Sequence, residues 1–143
     1  MMVATGGLRA APASSRHVIV CGSGGEEEYA ARFAEWGRRL EAVLVDRLGW
    51  SGEDVVRLPQ PGSDSSSRSE VLDLEAIRSA VEAAAEAVGP DDDLFIYLIG
   101  HGSHLRGVSR FHIPGPDLTA EALGGWLEGS EARRVAIVNG ASS

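Results

Sequence analysis

A histidine between two glycines closes an apolar run in the stretch "LFIYLIGHGSHLRG", Leu94 to Gly107. Imidazole titrates near neutrality, with an ordinary pKa of about 6.5, so His101 suits a general base. Gly100 and Gly102 let the backbone come close to a ligand and offer a main-chain N–H to a developing oxyanion. A serine hydroxyl becomes a nucleophile once such a base takes its proton. The segment "NGASS", Asn139 to Ser143, follows the last apolar run and carries the hydroxyls of Ser142 and Ser143. Cys21, the single cysteine, is expected to be a small buried residue; one thiol supports neither an internal disulfide nor a zinc cluster. His101, His104 and His112 lie near one another in sequence, yet no carboxylate or cysteine spacing completes a metal site with them. No cofactor is expected.

Elements that could hold these groups alternate along the chain. "HVIVCGSGG" reads as a strand running into a turn. After it, Tyr29, Phe33, Trp36, Leu40, Val43, Leu44 and Leu48 recur at helical steps, and three glutamates occupy the first turn, where the helix dipole favours negative charge. "DVVRLP" reads as a second strand, "QPGSDSSSRSE" as a loop, and "VLDLEAIRSAVEAAAEAVG" as a helix with a stripe of Leu74, Ile77, Val81 and Val88. "DDDLFIYLIG" is apolar on both faces, as a central parallel strand requires. "SRFHIPGPD" reads as a short extended piece, "LTAEALGGWLEGS" as a third helix capped near Thr119, and "RRVAIVNG" as a fourth strand. Trp36 and Trp126 are expected in the core. This alternation predicts an α/β fold with a four-stranded parallel sheet and helices on both faces. Ligands of such sheets bind beyond the carboxyl ends of the strands, where "CGSGG", "GHGSH" and "NGASS" would gather.

The totals narrow the function. At 143 residues the chain makes one domain with a real core. A net charge of −8 argues against a nucleic-acid groove or an anionic membrane surface as partner. All 13 basic residues are arginine and are scattered, a compositional bias rather than a binding patch. The first 16 residues, expected to be a disordered tail, hold no apolar run of secretory length, and no stretch is long enough to span a membrane. A cytoplasmic location is the expectation.

"VIVCGSGG", "DDDLFIYLIGHGS", "FHIPGPDLTAEALGGWL" and "RRVAIVNGASS", in that order and spacing, resemble the legumain-like branch of the caspase-fold cysteine peptidases, over residues 17–143. The resemblance implies a three-layer caspase-like α/β fold, with His101 as catalytic histidine and Gly102 as an oxyanion-hole donor. The nucleophilic cysteine of that family follows the next strand, inside a Cys-x-Ser-Gly segment. Its slot falls on Ala141 by strand counting, which implies an inactive relative, or on Ser142 if the loop is one residue longer, which keeps hydrolysis open. The family's acid-pocket arginine falls at Ala30, so a preference for asparagine is not implied. The resemblance also implies that the chain is about the first half of a catalytic domain; independently, so apolar a fourth strand is expected to have its open edge covered by more chain or by a partner. Two expectations follow: a peptidase relative acting on a protein or peptide, or a non-catalytic interaction module of the same fold.

Overall fold

The computed structural model describes residues 13–59 and 72–142. The expected loop at 60–70 lies outside them, as do most of the expected tail and Ser143. Among the described residues seven strands, three α-helices and a π-helical turn follow one another: β1 (Ser15–Cys21), α1 (Glu27–Ala42), continued by the π-helical turn (Val43–Arg47), β2 (Val55–Leu58), α2 (Leu74–Ala87), β3 (Asp93–Ile99), β4 (Gly102–Leu105), β5 (Val108–Phe111), β6 (Leu118–Thr119), α3 (Ala120–Leu127) and β7 (Arg134–Asn139). Ser15 and Arg16, expected in the tail, already belong to β1.

The main sheet is parallel throughout, in the order β2-β1-β3-β7. Alternate residues of its two central strands face opposite layers. Val18 and Val20 of β1, with Leu94, Ile96 and Leu98 of β3, pack under Ile77 and Val81 of α2 and Leu123 of α3. Ile19 and Cys21, with Tyr97 and Ile99, pack under Phe33 and Leu44 on the other face. Half of these side chains are fully buried, each worth about 1.5–3 kcal/mol over exposure. Helices therefore cover both faces, as the alternating pattern predicts.

Local chemistry places the helix starts. Asp73 accepts from the Ala76 amide at 2.8 Å and Thr119 from the Ala122 amide at 3.2 Å, each satisfying a donor the first turn leaves free. Thr119 thus caps α3 where the sequence suggests. The stripe on α1 and on the π-helical turn that continues it is narrower than its periodicity predicts. Phe33, Gly37 and Leu44 are buried, whereas Tyr29, Trp36, Val43 and Leu48 stay exposed, Trp36 by half. Gly37 sits against Cys21, so α1 lies closest to the sheet along the line of its smallest residue, and the flanking large side chains overhang. Trp126 does pack against the core, partly buried.

A second, antiparallel sheet follows β3 in the order β4-β5-β6. Of the extended piece expected at 109–117 only residues 109–111 belong to it, in β5, while β4 and the tight turn at Arg106–Gly107 have no counterpart in the sequence pattern. Both turn residues have positive φ, 53° and 79°. That is the backbone of a primed two-residue turn, made here with arginine where asparagine is usual. Phe111, at the end of β5, lies over Gly22 and Gly100: a Cβ at Gly22 would lie 2.6 Å from its ring. These glycines let the small sheet press onto the carboxyl ends of β1 and β3.

Candidate functional site

β3 ends at Ile99, and His101 stands two residues past it, above the carboxyl edge of the sheet. α1 supplies the wall behind its ring. Tyr29 and Phe33, one helical turn apart, meet the imidazole edge-on with centroids at 5.1 and 5.0 Å. Both lie in the apolar pattern read from the sequence, yet Tyr29 reaches past the core to contact His101. Aromatic residues at i and i+4 near a helix start, just after a strand-end glycine loop, were the available signal.

The other side of the ring faces the segment after β7. His101 Nδ1 lies 3.2 Å from Ser142 Oγ. The chain there stays laced to β3: the Gly140 amide donates to the Leu98 carbonyl at 2.8 Å, and the Ser142 amide to the Gly100 carbonyl at 3.2 Å. The Gly102 amide donates in turn to the Ser142 carbonyl at 2.9 Å. His101 and Ser142 thereby form a parallel bridge of their own. For Nδ1 to accept from the hydroxyl, the imidazole carries its proton on Nε2.

The residues picked out in the sequence fall into distinct places. Ser142 is exposed and its hydroxyl is the group at His101. Ala141 presents its methyl to Gly102, 3.2 Å from where a Cβ on that glycine would stand, and lines a cavity on the side of the small sheet. Gly102 has no room for a side chain, since such a Cβ would also lie 2.8 Å from the Arg110 carbonyl oxygen. Its amide, expected to serve an oxyanion, is engaged with the Ser142 carbonyl. The Ala141 amide is engaged too, with Asn139 Oδ1 at 3.0 Å.

Cys21 is buried beneath α1, beside Gly37, Arg57 and Ile19. Burial pushes its thiol up, against the pull of Arg57, which is the opposite of an activated nucleophile. The remaining histidines go separate ways. His104 Nδ1 lies 2.9 Å from Ser109 Oγ, and His112 Nδ1 lies 3.1 Å from Asp117 Oδ2. Among the described residues, no group of three or more histidine, cysteine or acidic side chains gathers around a point. None of the described helices is long and apolar enough to cross a membrane.

At the opposite edge of the sheet, Asp93 holds the start of β7. Arg134 and Arg133 both grip its carboxylate, at 2.7 and 2.9 Å, and hold it well below the usual carboxylate range. His17, at the same end of β1, is 3% exposed and stacks on Phe95 at 5.0 Å, with its ring nitrogens 3.2 Å from Tyr97 Oη and Ser15 Oγ. Burial lowers its pKa, with Asp54 pulling the other way. Neither group reaches the carboxyl edge, so both serve the fold.

Compared with known proteins, the chain matches no family model and no curated protein.

Proposed function

We propose that this chain is a caspase- and legumain-like peptidase relative that attacks a peptide carbonyl with the hydroxyl of Ser142, with His101 as general base. The observation that carries the proposal is the 3.2 Å approach of His101 Nδ1 to Ser142 Oγ at the carboxyl edge of a parallel sheet. As Oγ bonds to the carbonyl carbon, its proton passes to Nδ1. The same proton goes to the departing amine as the C–N bond breaks, and water repeats the sequence to release the acyl group. Gly102 can donate to the oxyanion once its amide lets go of the Ser142 carbonyl. The substrate would be a peptide or protein, met in the cytoplasm.

One set of contacts favours a second reading, a non-catalytic interaction module. The amides of Gly102 and Ala141 are both occupied, and β7 leaves Val135, Ile137 and Val138 exposed, each at 41–49%, on an edge unpaired among the described residues.

A fluorophosphonate probe separates the two. Peptide mapping after labelling is expected to find the adduct on Ser142 and to find it lost in both Ser142→Ala and His101→Ala. An unlabelled Ser142, or labelling indifferent to His101, removes the hydrolase and leaves the module.

A further inference from the structure

A cavity of about 340 Å³ opens between the small sheet, α3 and β7, within the range of about 300–1,000 Å³ common for ligand pockets. Leu98, Phe111, Leu118 and Leu123 make its floor, all of them buried core side chains. Two residues of the candidate site, Gly102 and Ala141, form one wall, so the cavity is continuous with the ground beside His101 and Ser142. Arg110, half-buried in the middle strand of the small sheet, also lines it. Among the described residues its guanidinium takes part in no ion pair, although the chain carries a net charge of −8.

We infer that this cavity is a specificity subsite, taking an aliphatic side chain of the peptide next to the reacting bond, with a neighbouring carboxylate of the same peptide paired to Arg110. The inference rests on the peptide-directed reading above for its ligand class. Its location comes from the geometry: Ile137, half-exposed at the lining, offers apolar surface that a side chain entering the cavity would cover, and Arg110 at the lining is matched by an acidic neighbour. The alanine at position 141 has a use in this arrangement. Its methyl is a smooth part of the wall at the point where the cavity meets the paired histidine and serine.

The test is binding to the full chain, followed by amide shifts in an NMR titration. Three blocked peptides serve as probes: Ac-Ala-Ala-Leu-Glu-NH2, Ac-Ala-Ala-Gly-Glu-NH2 and Ac-Ala-Ala-Leu-Lys-NH2. Burying the leucine is expected to make the first bind at least roughly tenfold tighter than the second. Gly124, on α3 at the cavity, has open space where a Cβ would stand, so Gly124→Leu fills the opening without a clash in the helix. That variant is expected to abolish the leucine preference. Arg110→Gln is expected to erase the preference for glutamate over lysine and to leave the preference for leucine over glycine.

Equal affinity for the leucine and glycine peptides overturns the inference, as does a leucine preference that survives Gly124→Leu. So does the absence of binding by every probe to a chain whose amide dispersion shows it folded. Binding with the expected preferences but no cleavage, and no fluorophosphonate adduct, sinks the hydrolase while the subsite stands.

Discussion

Gly37 is where α1 comes closest to the sheet, and a methyl added there has a calculable fate. Its Cβ would lie well inside contact distance of Cys21 Sγ and 3.2 Å from Arg57 Cδ. Cys21 is 5% exposed and has one rotatable bond, so the sulfur has little room to retreat. Overpacking of this kind costs about 1–3 kcal/mol, offset by about 1 kcal/mol of improved helix propensity. Gly37→Ala should therefore lose on the order of 2 kcal/mol at the upper end of the clash. Cys21→Ala removes one buried heavy atom and should lose about 1 kcal/mol, as for a deleted methylene. In the double variant the new methyl occupies the space the sulfur leaves. It should lie within about 1 kcal/mol of the starting protein, where simple addition would place it about 3 kcal/mol lower. Urea unfolding of the four proteins, with equal m-values as the control, measures the cycle. Losses that add to within about 0.5 kcal/mol would refute the packing of α1 on β1 described above. The wall of Tyr29 and Phe33 behind His101 would go with it.

Two further outcomes are expected. His17 has a folded-state pKa below its ordinary value, so its contribution is complete above about pH 6.5 and is lost as pH falls below that. The urea midpoint should drop over this window, and His17→Phe should remove that component of the pH dependence; a profile unchanged by the substitution would discard the assignment. Asp73→Ala removes the cap of α2 and should cost about 1 kcal/mol in the same assay, with Asp73→Asn recovering most of it.

The parallel sheet was legible because burial on both faces forces continuous apolar runs such as Leu94–Ile99, and because helical spacing between those runs leaves few other folds. Thr119 was legible as a cap for a local reason, a hydroxyl three residues before the amide it serves. The small sheet was not. Its strands are at most four residues long, too short to show a period, and its turn uses Arg106 at positive φ in place of the usual asparagine. The over-wide core face of α1 has a different origin. Periodicity counts large apolar residues, whereas the closest approach is made by a glycine, which carries no hydropathy signal. Strand counting put the slot on Ala141, and a loop one residue longer kept Ser142 open. Only the spatial register shows which of the two side chains meets His101.

That register has a remote anchor. Asp93 pairs with Arg134 at one end of β3 and β7, and the same offset, unbroken, pairs Leu98 with Asn139 and then His101 with Ser142. The two strands work as a vernier, with a carboxylate clamped by two arginines as its fixed mark. A slip of one residue at the Asp93 end would turn the hydroxyl at His101 into the methyl of Ala141, or carry Ser143 to its place, and turn every side chain of β7 to the opposite face. The chemical identity of the group facing the imidazole thus belongs to the same register that brings Asp93 to its two arginines at the far end of the sheet.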